Sequence, residues 1–320
     1  MKSLKGIALL IVANLLIFTT LFITFQVLVN FILPALGIDI RASVNASMLL
    51  WALVLGFGGA FITLLMSKQM ARMGMQMQRI ETPQTPKEHL VYNTVAEISR
   101  KLGIKMPEVW VYWDDEPNAF ATGPSKNNSM VAVSSGLVTL LSDDEVKAVL
   151  AHEMGHVWNG DMLATTLLQG LMNTFVYWLS MLAAQFFRDS EGNPTFVSFA
   201  VSFFLQIVLS FLALIPITWF SRRREFGADR FAAETYGARP MIGALEKIHR
   251  RAAERLAQDT VATDPLSTFK IGGDWKGLFA THPSLEQRVQ ALVDWEQRSG
   301  HARPTPMSGD AWRSKDNPWG

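Results

Sequence analysis

The chain has 320 residues, with 29 Lys and Arg against 28 Asp and Glu, and no cysteine. Near-cancelling charge excludes a general attraction to nucleic acid, and the lack of cysteine excludes disulfides and thiolate zinc ligands. A hydrophobic share of 49% beside 18% charged residues is high for a soluble protein and points to the membrane.

Uncharged apolar residues fall in four windows: Lys5 to Asp39, Arg41 to Lys68, Asp161 to Arg188 and Glu191 to Arg222. Each exceeds the roughly 20 residues a helix needs to cross the hydrocarbon core. One charge at a span centre costs about 2.5–3.5 kcal/mol, so four clean windows predict four transmembrane helices. The first run is too long for a signal-peptide core and leads straight into a second span, so it reads as an anchor. Lys2, Lys5, Lys68, Arg72, Arg79 and Arg222 to Arg224 flank the spans on one side, against Arg41 and Arg188 on the other. The positive-inside rule then puts both termini, and the segment between the second and third spans, in the cytoplasm.

The predicted organisation has five parts. Residues 1–66 hold two spans and a short outer connector. Residues 67–162 form the first half of a soluble domain, and 163–220 a transmembrane hairpin. Residues 221–302 complete the soluble domain, and 303–320, rich in Pro, Ser, Gly and Trp, read as a flexible tail. The methionines at 70, 73, 75 and 77 read as membrane-surface packing, since thioethers suit softer ions than zinc.

In the first soluble half, Thr85-Pro86-Lys87-Glu88 is a capping box with proline at the first helical position. It opens a helix with Leu90, Val91, Val95, Ile98 and Leu102 on one face, ending at Gly103. Val109 to Trp113, Asn118 to Thr122 and Met130 to Ser134 read as three short strands, the last two separated by a Gly-Pro turn and a polar loop. Asn118, Ala119, Phe120 and Ala121 are the candidate sheet edge on which an extended peptide could add as a further strand; an ordinary internal strand fits the same residues.

Ser142-Asp143-Asp144-Glu145 is a second capping box, with acidic residues in the first turn where the helix dipole favours them. The helix it opens carries His152-Glu153-Met154-Gly155-His156. Histidines four apart share one helix face, so both imidazoles can reach one metal ion, with Glu153 beside the open position as general base. Two solvent-facing histidines would have the same spacing, so the motif needs a third ligand elsewhere. After the fourth window the chain reads Arg222-Arg223-Arg224-Glu225-Phe226-Gly227-Ala228-Asp229. Glu225 could supply that ligand, and Asp229 could accept the free N–H of a ligating histidine. Carboxylates neutralising a membrane-flanking arginine run explain the same residues.

The His-Glu-Met-Gly-His motif, followed after a hairpin by Arg-Arg-Glu-Phe-Gly-Ala-Asp, resembles the HtpX family of bacterial membrane zinc metalloproteases. The CAAX-type prenyl-protein proteases are more distant relatives. The resemblance covers nearly the whole chain, from the two leading spans to Thr281-His282-Pro283-Ser284 and Arg288. It implies an α+β, mainly helical fold, with four transmembrane helices and a cytoplasmic zincin-like domain containing a small sheet. It also implies one Zn²⁺ on His152, His156 and Glu225, Glu153 as the catalytic base, Asp229 behind a zinc histidine, and His282 and Arg288 facing the cleft. His282 is then the first candidate donor to the oxyanion and Arg288 the second. The remaining histidines, His89, His249 and His301, lack a ligand-like partner at i+4 and read as surface or structural residues.

The function implied is membrane-protein quality control in the bacterial inner membrane. Its substrates would be misfolded or damaged membrane proteins, its surroundings the lipid bilayer, and its partners copies of itself or other quality-control proteins. Two other readings stand beside it. An intramembrane site-2-type protease would carry the motif inside a span, against which the Ser142-Asp-Asp-Glu start and Asn159-Gly-Asp161 argue. The third reading is a non-enzyme, a structural zinc membrane protein or a metal transporter; a transporter would place ionisable residues at mid-span, and the four windows have none.

Overall fold

The computed structural model describes residues 23, 26–37, 44–262 and 282–299. The first expected span lies largely outside these residues, as do His301 and the expected tail over 303–320. After a short helical stretch (Leu28–Ile32, then Leu33–Ala35) the elements follow in order: α1 (Val44–Gly74), β1 (Met77–Arg79), α2 (Pro86–Leu102), β2 (Glu108–Tyr112), β3 (Ala119–Ser125), β4 (Asn128–Ser134), α3 (Ser135–Leu140), α4 (Asp143–Asn159), α5 (Asp161–Gln185), α6 (Phe196–Tyr236), α7 (Ala238–Ala262) and α8 (Leu285–Arg298). The chain is mainly helical, with one small mixed sheet. It divides into two compact units: Met1–Leu65 with Ala164–Ile217, and Met66–Leu163 with Thr218–Gly320.

Among the described residues, three helices are long and apolar enough to cross a membrane: Ala46–Gly74 within α1, then α5 and α6. In the first unit, large apolar side chains such as Phe199, Phe204 and Phe211 stand more than half exposed. Water would penalise that surface by roughly 25 cal/mol per Å², whereas lipid would not. Two of the polar groups are satisfied within their own helix, as suits a spanning segment: Thr174 Oγ1 donates to the Gly170 carbonyl at 2.8 Å and Ser180 Oγ to that of Val176 at 2.7 Å.

The second unit is built around α4. Val146, Leu150, Met154 and Val157 along it are fully buried. They pack with Val91, Val95 and Ile98 of α2, Val131 and Val133 of β4, Phe231 of α6, Met241 and Leu245 of α7, and Leu292 of α8. The capping boxes at Thr85 and Ser142 both form, fixing where α2 and α4 begin. Glu145 also takes Lys247 Nζ at 2.7 Å, which ties the start of α4 to α7.

The sheet order is β1-β2-β4-β3, with β2 and β4 parallel and the other pairs antiparallel. Val109, Val131 and Val133 turn one face to the core. Tyr112, Met130 and Ala132 turn the other to a smaller cluster with Met77, Trp110 and Phe120. Among the described residues strand β3 pairs only with β4, and so forms an edge.

Two details differ from the sequence expectations. Met70, Met73 and Met75 are exposed, whereas Met77 departs from the expected surface role: it sits in β1, paired with Tyr112 and half-buried. The Gly-Pro pair does not end β3, which continues to Ser125 through an irregularity. Gly123 at φ +143° adopts a backbone closed to other residues, and Pro124 is tolerated because an edge strand need not donate on its open side.

Candidate metal centre

The site forms where α4 passes α6 in the second unit. Gly155 lies between the two histidines on α4, and a Cβ there would stand 3.2 Å from Ala228 Cα and 3.2 Å from Phe231 Cβ. This close approach brings the Glu225 to Asp229 turn of α6 against the histidine face of α4. One ligand atom from each of His152, His156 and Glu225 falls within 4.8 Å of the others. His152 and Glu225 are buried, and His156 is partly so.

The separations can be tested against a metal ion. Nitrogen and oxygen donors at 2.0–2.1 Å from a tetrahedral zinc would lie about 3.3 Å apart. The two imidazole Nε2 atoms are 3.2 Å apart. His156 Nε2 is 3.4 Å from Glu225 Oε1, and His152 Nε2 is 3.7 Å from Glu225 Oε2. Glu225 Oε2 is buried without an aligned hydrogen-bond donor, although His282 Nδ1 is 2.9 Å and Arg288 Nη1 3.5 Å away. A buried carboxylate oxygen facing two imidazole nitrogens fits a cation between them. The donors present, two imidazoles and a carboxylate without thiolate, suit zinc.

Each histidine is backed by a carboxylate. His152 Nδ1 stands 2.9 Å from Asp229 Oδ1, close in distance but off the line of a good hydrogen bond. His156 Nδ1 lies 2.7 Å from Asp161 Oδ2. An ionised carboxylate only accepts, so Nδ1 of His156 donates to it and Nε2 is the ring atom left to face the pocket. The carboxylates are backed in turn by guanidinium groups. Arg288 donates to Asp229 through Nε at 2.7 Å and Nη2 at 2.6 Å, whereas Arg224 Nε stands 3.1 Å from Asp161 Oδ1 as an ion pair without hydrogen-bond alignment.

The electrostatics favour a cation. Burial opposes charge on His156, but the hydrogen bonds to Asp161 and Glu225, with the charges of Glu153 and Glu225, push it up to about 10. Burial likewise opposes ionisation of Glu225 and Asp229. It is outweighed by His156 and His282 around Glu225 and by Arg288 and His152 around Asp229, so both carboxylates stay below their usual range. A dication would satisfy this carboxylate-rich pocket and leave His156 neutral.

The structure thus brings together His152, His156, Glu225, Asp229, His282 and Arg288, residues far apart in the chain. Glu153 is half-buried on α4, and its charge is felt by both His156 and Arg288. The His282 side chain is 65% exposed. Arg288 has Nε and Nη2 engaged by Asp229, which leaves Nη1 as its donor nearest the ligand atoms. Asn118 precedes β3, its backbone held by Ser134 Oγ and by the Ser134 N–H, each at 2.9 Å. Ala119 and Ala121 pack toward the core that contains α4, whereas Phe120 faces the smaller cluster. His89 and His249 are exposed and outside the site. Sequence reasoning missed Asp161 and Arg224. Asp161 figures in the sequence reading as a window boundary and a polar residue after the motif, and Arg224 as part of the arginine run before Glu225, neither as a partner of His156.

A family model described as Peptidase family M48 matches residues 86–296. The chain is 42% identical over 269 residues to Protease HtpX homolog of Neisseria meningitidis, spanning 83% of this chain and 94% of that protein. It is 43% identical over 299 residues to Protease HtpX of Aeromonas hydrophila, spanning 90% and 99%. Among solved structures, the crystal structure of S. mikatae Ste24p superposes with a TM-score of 0.57 at 17% identity. That match covers 86% of this chain and 64% of the Ste24p chain, and it shows a shared fold.

Proposed function

The chain belongs to peptidase family M48, and on that premise we propose that it is a multi-pass zinc endopeptidase of the bacterial inner membrane. In this reading it cleaves misfolded or damaged membrane proteins on the cytoplasmic side. Three observations support the setting: three apolar helices among the described residues, a fourth apolar window before them, and the excess of Lys and Arg on one side of the spans. The observation that carries the chemistry is the set of 3.2, 3.4 and 3.7 Å separations among His152, His156 and Glu225.

His152, His156 and Glu225 would hold the metal. When bound, zinc supplies Lewis-acid polarisation of a carbonyl and acidification of a water. Glu153, beside the first ligand, takes the proton of the attacking water on its carboxylate and returns it to the leaving amine. Asp229 lies against Nδ1 of His152, which leaves Nε2 of that ring to face the metal. Arg288 keeps Asp229 ionised and fixed, with Nη1 facing the pocket. His282, exposed at the rim, is the donor placed to meet the developing oxyanion. The free side of β3 offers backbone groups on which an extended peptide can lie, beginning at Asn118 to Ala121.

Glu153→Gln tests this assignment. Purified protein in detergent should keep its zinc while cleavage of an unfolded substrate such as casein falls by about 10²–10⁴-fold or more. Activity equal to the parent's would remove Glu153 from the mechanism.

A further inference from the structure

We propose that Asp161 and Arg224 position the ligand His156, as a second strut matching the one that Asp229 and Arg288 provide for His152. The proposal rests on the reading of His152, His156 and Glu225 as a metal centre. Asp161 Oδ2 takes the Nδ1 proton of His156 at 2.7 Å, which fixes both the ring orientation and the tautomer. Asp161 is only 6% exposed, so its charge is screened little by water. It reaches the ring because α4 ends at Gly160 in the left-handed conformation, φ +69°. That sharp turn folds the first residue of α5 back against the last turn of α4.

The carboxylate is held from its other side. Arg224 Nε stands 3.1 Å from Asp161 Oδ1, an ion pair close in distance but off the line of a hydrogen bond, and the Arg224 guanidinium lies 5.0 Å above the ring of Phe220, which fixes its plane. Arg224 immediately precedes Glu225 on α6. The same helical turn therefore carries the third ligand and the cation that anchors the support of the second. Each imidazole receives one carboxylate, and each carboxylate one guanidinium. A simpler account has Asp161 stabilising the start of α5 and Arg224 marking the membrane boundary. It gives both residues an effect on stability and none on metal binding.

Metal affinity of the full chain in detergent separates the two accounts. Stripped protein is titrated with Zn²⁺ against a chromophoric chelator and with Co²⁺ by visible absorption, and the metal-free melting temperature is measured alongside. Asp161→Asn should weaken zinc binding by about 10–100-fold and alter the Co²⁺ spectrum. Arg224→Gln should weaken it by less. The double variant should be no worse than Asp161→Asn alone, because the two residues act in series. Lower melting temperatures with parental affinity and an unchanged Co²⁺ spectrum would overturn the proposal. If Asp161→Asn does not fold, Arg224→Gln decides alone: weakened binding supports the strut and parental binding overturns it. A parent that binds no stoichiometric metal, or a His156→Ala variant that binds as tightly as the parent, would overturn the metal-centre reading itself. Tight parental binding lost in His156→Ala but kept in Asp161→Asn would overturn only the strut.

Discussion

Gly155→Ala probes the contact that assembles the site. An added Cβ would sit 3.2 Å from both Ala228 Cα and Phe231 Cβ, closer than the ordinary contact range of 3.4–4 Å. One of these neighbours is backbone, so the relief must come from α4 and α6 moving apart by a few tenths of an ångström. Alanine gains about 1 kcal/mol over glycine in a helix interior. Overpacking a filled core costs about 1–3 kcal/mol. The expected balance is a net loss of about 1 kcal/mol in the metal-free protein, or a fall of roughly 2–4 °C in melting temperature. Zinc affinity should fall as well, because the histidines ride on α4 and Glu225 on α6. Gly155→Val adds two methyl groups to the same gap and loses most of the propensity gain, so its loss should reach about 3 kcal/mol. Thermal unfolding in detergent with chelator, followed by zinc titration, measures both effects. An alanine variant that melts several degrees higher and binds zinc like the parent would refute the close-approach argument.

Arg288→Met strips the buried Asp229 of its guanidinium and leaves only the His152 ring beside its charge, which should cost about 3–5 kcal/mol of stability, together with zinc affinity. Arg288→Lys should recover only part of this in the same unfolding and titration assays, since one ammonium cannot reproduce the two-nitrogen contact. Glu108 gives the pH dependence. Burial works to raise its pKa, but Lys68, Trp110 and Arg72 outweigh it and bring it from 4.5 to about 2. With the folded value depressed, its contribution is full above pH 4.5 and is lost as pH falls toward 2. Melting temperatures of the parent and Glu108→Gln should therefore differ most above pH 4.5 and converge below it. A constant difference across that window would contradict the ion-pair assignment.

The sequence announced what depends on short-range pattern. Helices α2 and α4 were legible because the Thr85 and Ser142 capping boxes, and Gly103 after α2, are local signals. The pairing of Glu225 with Asp229 was legible because a spacing of four fixes a shared helix face. What escaped depends on how the chain turns or on which segments meet. Asp161 lies five residues from His156, a spacing with no meaning inside one helix. It becomes a partner only because Gly160 reverses the chain between two helices. Arg224 was hidden in a run of three arginines that topology alone explains. Arg288 reaches Asp229 across 59 residues, so its role behind that carboxylate could not be read from spacing. Strand β1 has only three residues, too few for periodicity to register. The edge position of β3 is a matter of sheet order, and the same residues would serve equally well inside a sheet.

Zinc content after Glu225→Ala, set beside the parent, tests the split centre most directly. The parent purified in detergent should hold one zinc per chain, with nitrogen and oxygen neighbours at about 2.0–2.1 Å by X-ray absorption. Glu225→Ala should lose that zinc while still inserting into membranes. Stoichiometric zinc retained in the variant, with an unchanged absorption spectrum, would contradict a centre shared between α4 and α6.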